Sequence, residues 1–367
     1  MIDHEAPMKG AMKAMKKAQF ALSSGVARVV SPWLSRLCAL SCGMERRMRL
    51  RELKKMKALV EKLTYQQRRA LMDELAGKEA AGVCIGVIEG AGERRPCPHC
   101  GSHQVIRNGS AHGLQRYKCR DCQRTYNALT GTPLARLRRK SKWLAQAEAL
   151  RDGVSIRQAA ERLKVARSTA FRWRHRFMAA PKAIQAQSLV GIAEVDETFF
   201  LHSRKGERGL DRKPRRRGGS AAKRGTSKEQ VPVLVARDRA TATANLILDA
   251  DSKACVVTAL KPLLPSDTIL CTDGSSVLAA AAKEIGITHR PINLAAGQRV
   301  IAGVYHIQNV NAFDSRLKNW MRRFHGVATK YLDSYLGWFR TLDRSVTTSL
   351  LPASFLALAC GRRLVTT

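Results

Sequence analysis

Four cysteines set the tightest constraint on how this chain folds. Cys97-x-x-Cys100 and Cys119-x-x-Cys122 stand eighteen residues apart in "RRPCPHCGSHQVIRNGSAHGLQRYKCRDCQRTYNA". Each C-x-x-C knuckle places two thiolates on one side of a tight turn. Two knuckles close a tetrahedron around one structural Zn²⁺, with no ligand position left over for chemistry. Gly101 follows the first pair, where a tight turn needs a relaxed φ, and "QRYKC" is expected to be a short strand. His99 and His103 are read as surface residues, since four thiols already fill the shell. The other cysteines (Cys38, Cys42, Cys84, Cys255, Cys271, Cys360) are scattered and apolar-flanked. That usage fits a reducing cytoplasm better than a disulfide framework. Residues 91–130 are therefore expected to form a zinc ribbon.

Charge names the partner. Sixty-five Lys and Arg against 29 Asp and Glu give a formal net charge of +36. Such a chain repels itself unless it lies beside a polyanion, and nucleic acid is the obvious one. Charge reports a partner and not a reaction, so ribosomal protein, chromatin protein, nuclease and recombinase all stay open here. At 367 residues and 45% apolar content the chain has room for two or three cored domains. No run resembles a membrane span: the stretch from Val26 to Gly43 is interrupted by Arg28, Pro32 and Arg36, and it is a poor secretory signal. A cytoplasmic, nucleoid-associated protein with no membrane partner is expected.

Residues 1–45 are Met-, Lys- and Ala-rich without a clear period and are expected to be poorly ordered, with Met44 or Met56 as alternative starts. Residues 46–90 read as a helical segment. Leu53, Met56, Leu59, Val60 and Leu63 recur at helical spacing, and Thr64 with Gln67 matches a capping box that starts a second helix. Residues 134–180 have the cadence of a helix-turn-helix in "SIRQAAERLKVARSTAFRWRHRF". Ile156, Ala159, Ala160 and Leu163 form one apolar face, "KVARS" makes the turn, and Ser168 is expected to cap a helix carrying Phe171, Arg172, Trp173, Arg174 and Arg176. A recognition helix needs an apolar side to seat and a basic side for a DNA groove. Arg167, Ser168, Arg172 and Arg174 are its candidate DNA contacts.

Beyond a linker the period turns from helical to extended. "GIAEVDETFF", "VPVLVARDR", "ATANLILDA" and "DTILCTDG" are strand-like, helices lie on either side of the last, and another strand is expected near "HRPINL". The order predicts a mixed α/β domain over residues 190–345, antiparallel at the start and parallel in what is added. An insert at 204–225 carries ten basic residues against two acidic ones and cannot form a core; it is expected to grip phosphates, with Arg215, Arg216 and Arg217 as DNA contacts. Residues 346–367 read as a C-terminal tail.

Two acids stand out in this half. Asp196 falls inside an apolar, alternating run, where an unpaired carboxylate costs several kcal/mol. Asp273 ends a later strand on an Asp-Gly turn. If the two strands adjoin, both carboxylates point at one spot, and a divalent cation relieves their repulsion. A third ligand can come from the helix near residue 311. An oxygen-rich site beside DNA-gripping elements points to Mg²⁺-assisted phosphoryl transfer. Strand alternation should turn Glu197 away from the metal.

Taken together, "CPHCGS…QRYKCRDCQRTYNALTGTPL", "EVDETFF", "LCTDG" and "HIQNVNAFDSRLKNWMRRFHGVATKYLDSYLGWF" resemble the bacterial insertion-sequence transposases that join a zinc ribbon, a helix-turn-helix and a ribonuclease H-like DDE domain. The resemblance runs from about Thr64 to Phe339. It implies Mg²⁺ (or Mn²⁺) as two ions at the catalytic site, cleavage of DNA at terminal inverted repeats, strand transfer by 3′-hydroxyls, and a homodimer or higher assembly on double-stranded DNA. Asp196 and Asp273 take the places of the first two catalytic acids. The third, Glu in many relatives, is matched here by Asn311, with Lys318 seven positions on as in the subgroup that carries Asn. Asp314, on the same helical face, and His306, which is expected to open the helix, are further catalytic candidates. The Asn at 311 leaves a competing reading, a repressor-like DNA-binding protein descended from a transposase. A ribonuclease H-type enzyme acting on RNA–DNA hybrids is disfavoured by the DNA-reading N-terminal modules.

Overall fold

The computed structural model describes residues 50–92, 95–210, 229–293, 296–344 and 351–361, with single residues or pairs between 213 and 227. Residues 1–45, and with them Cys38 and Cys42, lie outside the described residues, as do Arg215, Arg216 and Arg217. The chain divides into two units, residues 1–71 and 72–367.

In the first unit, α1 (Leu50–Glu61) buries none of its residues. Thr64 and Gln67 form the expected capping box: Thr64 N–H donates to Gln67 Oε1 at 2.9 Å and Gln67 N–H to Thr64 Oγ1 at 3.3 Å. They open α2 (Tyr65–Gly92), whose latter part belongs to the second unit and buries Cys84 and Ile88. The second unit continues with a three-stranded antiparallel sheet in the order β1 (Val105–Ala111), β2 (Leu114–Cys119), β3 (Thr125–Asn127). Glu89 of α2 accepts from the backbone N–H of Gln115 at 2.8 Å, which ties the helix to β2.

Three helices follow: α3 (Trp143–Arg151), α4 (Ile156–Leu163) and α5 (Arg167–Ala183). Ser155 caps α4 in a capping box with Gln158, and Ala159, Ala160 and Leu163 are buried as their spacing predicts. The turn passes through Lys164 in a left-handed conformation. Ser168, expected to cap the next helix, does not. Ala166 holds that position without any side-chain bond, and Ser168 sits exposed inside the first turn. The helix starts two residues earlier than expected, because the left-handed Lys164 closes the turn in fewer residues.

The larger sheet runs β6-β5-β4-β7-β8, built from β4 (Ile192–Leu201), β5 (Gln230–Asp238), β6 (Thr243–Ile247), β7 (Ile269–Thr272) and β8 (Thr288–Pro291). The first three strands pair antiparallel; β7 adds parallel to β4, and β8 parallel to β7. The mixed sheet predicted from the order of elements is therefore present. Ala193 and Val195 of β4 pack in a core with α6 (Lys253–Leu260) and α7 (Ser276–Ile285). The opposite face meets α8 (Gln308–Arg322), α9 (Leu332–Arg344) and the helix-turn-helix in one continuous core that includes Phe177, Phe313 and Trp338. Gly337 lets α9 cross α5 backbone to backbone, for a Cβ there would lie 2.5 Å from Lys182 Cα.

The C-terminal residues are not merely a tail. Within 351–361 the chain forms α10 (Pro352–Ala359), and Phe355, Leu356, Ala359 and Cys360 are buried in that same core. The run "SFLALAC" is apolar enough to be driven against α3 and α5 despite the unpatterned residues around it.

Candidate active site and nucleic-acid interface

The acidic site is assembled by strand register. The last paired residues of β4 and β7 are Glu194 and Cys271. Two residues further along each parallel strand bring Asp196 level with Asp273, at the C-terminal end of β7. There the chain turns through Gly274, at φ 83°, while Asp273 Oδ1 accepts from Ser275 N–H at 2.9 Å and Ser275 caps α7. Asp273 is thus aimed by the turn that also starts the helix.

Glu197 joins this pair, contrary to the expectation from alternation. Carboxylate oxygens of Asp196, Glu197 and Asp273 all lie within 4.8 Å of one another. The backbone does alternate, sending Glu197 toward the α6 side, where Asp251 is its neighbour. But β7 ends at Thr272, so on that side no strand stands beside Glu197, whose other neighbour is Leu234 of β5, and its longer side chain reaches around the open edge. Its Oε1 is buried without a hydrogen-bond partner. Burial, then Asp273, pushes Asp196 up to about 6. Burial, then Asp251, Asp196 and Asp273, pushes Glu197 up to about 8.

Helix α8 closes the site from the face that Glu194 and Asp196 share. Glu194 is fully buried, and its carboxylate accepts from Asn309 Nδ2 at 2.8 Å and from Val310 N–H at 2.9 Å. Arg239 NH1 pairs with it at 2.8 Å, and His306 Nδ1 lies 3.4 Å away. This network fastens the first turn of α8 to β4 two residues before Asp196. His306 does not open the helix; it precedes Gln308 and belongs to the fastening. Composition could have marked Glu194 as a second buried acid on the Asp196 face, but its Arg partner lies 45 positions away in sequence and only the fold supplies it.

Asn311, Asp314 and Lys318 follow along one face of α8. Asp314 is 5% exposed, and neither carboxylate oxygen has a hydrogen-bond partner. Burial, then the charge of Asp196, raises it to about 7, against the opposing pull of Lys318. Lys318 acts on Asp196 in the same direction. Half-buried Asn311 stands one turn before Asp314. Clustered, partnerless carboxylate oxygens are what a hard divalent cation satisfies.

The four cysteines also converge. Sγ atoms of Cys97, Cys100, Cys119 and Cys122 lie within 4.8 Å of one another, with Cys97–Cys122 and Cys100–Cys119 at 3.6 Å. Four sulfurs about 2.3 Å from a tetrahedral centre stand roughly 3.8 Å apart, so the set fits zinc. The backbone N–H of Cys122 helps lower the Cys119 thiol to about 7, which favours the thiolate a metal needs.

On α5, Arg167, Ser168 and Arg172 are exposed. Arg174 is not available to DNA. It is 1% exposed, NH2 donates to Val154 O at 2.6 Å, and the guanidinium stacks 5.0 Å over Trp338. The cause is helical phase: Arg174 lies next to Trp173 and Phe177 on the side that packs against α9. The basic insert leaves β4 through Ser203, whose N–H donates to Thr329 Oγ1 at 2.9 Å, while Lys205 Nζ donates to Gly326 O at 3.0 Å.

A helix-turn-helix joined to a mixed sheet that ends in a carboxylate cluster defines a DNA-handling class of protein, and comparison with known proteins names the family. Residues 188–340 match the ISXO2-like transposase domain, and residues 135–181 match a homeodomain-like domain. An uncharacterized protein in transposable element ISH50 of Halobacterium salinarum is 31% identical over 251 residues, covering 66% of this chain and 83% of that protein. The chain belongs to the insertion-sequence transposases with an ISXO2-like domain, and its helix-turn-helix is of the DNA-binding kind. Among solved structures, a pre-cleavage Mos1 transpososome is 13% identical with a TM-score of 0.23, covering 60% of this chain and 75% of that one. The Mos1 transposase paired-end complex with left transposon end is 11% identical with a TM-score of 0.23, covering 59% and 74%. Likenesses this slight carry no argument about the fold. Among the described residues no helix is long and apolar enough to cross a membrane.

Proposed function

We propose that this chain is a DDE-type DNA transposase, which binds the terminal inverted repeats of its element and performs metal-dependent cleavage and strand transfer. The observation that carries this reading is the register that sets Asp196 level with Asp273, beside a buried, partnerless Asp314. The strand order, three antiparallel strands extended by two parallel ones, supports a ribonuclease H-like fold. Asp196 and Asp273 would hold the catalytic cation, and a side chain of α8 would supply the third oxygen. Asn311 has that place by the family resemblance; Asp314 is favoured by its burial and its lack of any other partner. Two Mg²⁺ or Mn²⁺ ions, when bound, supply charge stabilisation at the scissile phosphate and activation of the attacking oxygen. Lys318 contacts a phosphate beside the scissile bond. Glu194, Arg239 and His306 keep α8 seated so that its donors face Asp196. The four cysteines hold one structural Zn²⁺ in a zinc ribbon, and the insert carrying Arg215, Arg216 and Arg217 grips phosphates. The active form on double-stranded DNA is a homodimer or higher assembly, as the resemblance implies.

Nicking of a supercoiled plasmid bearing the element's ends, with Mg²⁺ or Mn²⁺, tests this. Asp196→Asn is expected to abolish nicking and leave end binding nearly unchanged. Tight end binding with no nicking by the unaltered protein would establish the repressor-like alternative instead.

A further inference from the structure

Asp273 follows β7 on the face of Cys271, which packs in the core shared with α8, while the residue before it is rooted on the opposite face. Alternation puts Thr272 on the side of Leu270, which packs with α6 and α7. Thr272 is fully buried, and its Oγ1 accepts from Gly274 N–H at 3.1 Å. The same oxygen lies 2.9 Å from Nε2 of half-buried His289 on β8. Register pairs His289 with Leu270, two residues short of Thr272 and on the same face, so the ring reaches along the sheet to the hydroxyl. Thr272 O accepts from Ile292 N–H at 2.8 Å, and Pro291 lies against the Gly274 turn. The end of β8 therefore holds the Asp273 turn at two points, by backbone and by one imidazole.

The hydroxyl has one proton to give. Its oxygen already accepts from Gly274 N–H, so the proton goes to His289 Nε2, and the imidazole carries its own proton on Nδ1. Burial holds His289 below the usual histidine range, which keeps the ring neutral and able to accept. A valine would fill the Thr272 site and suit the apolar core of α6 and α7 without a polar atom to satisfy. What it would lose is the bond that fixes Gly274, and with it the aim of the Asp273 side chain. One oxygen of that carboxylate, Oδ1, is taken by Ser275 N–H, so the turn also decides where Oδ2 points. Outer hydrogen bonds that orient a ligand in this way are worth about 10–100-fold in metal affinity.

We infer that Thr272 and His289 are positioning residues for Asp273, a single hydrogen-bonded chain from β8 through the Thr272 hydroxyl to Gly274 N–H that aims the carboxylate at its cation. The inference rests on the reading of Asp196 and Asp273 as cation ligands, but it needs neither DNA nor cleavage. Its test is a Mn²⁺ titration of the full chain followed by electron paramagnetic resonance, the ion of interest being the one lost in Asp273→Asn. Thr272→Val and His289→Phe are each expected to weaken that ion's binding about tenfold. Thr272→Ser keeps the hydroxyl and His289→Gln keeps an acceptor near the place of Nε2, so both should stay within about threefold of the unaltered protein. Thr272→Val combined with His289→Phe should bind no more weakly than Thr272→Val alone, because the two act through one chain of bonds. Unchanged affinity in Thr272→Val and His289→Phe overturns the inference, as does a double variant whose losses multiply. So does a loss as large in Thr272→Ser as in Thr272→Val, or one that merely follows the melting temperatures of the same proteins in EDTA. Mn²⁺ held in the expected way by a protein that nicks no plasmid would sink the transposase reading and leave this inference standing. Nicking with Mn²⁺ affinity indifferent to Thr272 and His289 would do the opposite, and an unaltered protein that takes up no Mn²⁺ at Asp273 would end both.

Discussion

Asp314→Asn is the sharpest probe of the acidic site, because its effect has a sign that reverses intuition. A carboxyl at 5% exposure with neither oxygen partnered is held at about 7, against its ordinary 3.8. Moving a carboxyl that far corresponds to roughly 4 kcal/mol of stability. The folded chain holds this proton more tightly than the unfolded chain does. That contribution is complete below pH 3.8 and is lost as pH rises toward 7. Above it, the ionised group sits in the fold at nearly its full cost. Asn carries no charge and leaves only unpaired amide atoms, costing about 1–3 kcal/mol at any pH. In EDTA, urea unfolding of the unaltered protein should therefore lose stability between about pH 4 and pH 7, and Asp314→Asn should lose roughly 4 kcal/mol less. The variant should be the less stable of the two at the acid end and the more stable at the alkaline end. Adding Mn²⁺ should restore the unaltered protein at pH 8 and do less for the variant, since a bound cation removes the penalty in the fold alone. Parallel pH profiles for the two proteins would refute the assignment of Asp314 as a buried, unpaired acid.

Other substitutions test the remaining elements. Cys119→Ser should release zinc, measured by a colorimetric chelator, and weaken end binding; a fully folded, binding-competent, zinc-loaded variant would count against the ribbon. Arg172→Ala should weaken end binding about tenfold with little change in melting temperature. Arg174→Ala should do the reverse, losing roughly 2–4 kcal/mol of stability with its hydrogen bond to Val154 and its stacking on Trp338. Gly337→Ala sets a methyl group 2.5 Å from Lys182 Cα, where only backbone can yield. It should cost about 1–3 kcal/mol or more, seen as a lower midpoint in urea, and an unchanged midpoint would deny the close crossing.

Local chemistry was legible in the sequence wherever neighbours along the chain decide the outcome. The spacing of Cys97, Cys100, Cys119 and Cys122 brought four thiols together because each pair shares one tight turn. The Thr64–Gln67 box and the Ala159–Ala160–Leu163 face follow from helical period alone. The order of strand-like and helical runs was enough to predict a mixed sheet, since antiparallel neighbours need only short connections and parallel ones need a crossover. The pattern Asp196…Asp273 marked two acids, and their convergence required only that β4 and β7 adjoin in register.

Tertiary structure decided everything that depends on where an element ends or which side it is packed from. Alternation placed Glu197 on the far face of β4, but the shortness of β7 let its carboxylate around the edge to the site. Charge and helix position made Arg174 look like a DNA contact, yet the approach of α9 through Gly337 buried that side of α5. The partner of Glu194, the cation Arg239, comes from the next hairpin, and no periodicity connects them. Asp314 owes its burial to the seating of α8 on β4. A period is a property of one segment, whereas burial and charge pairing belong to two segments at once, and folding alone makes them neighbours.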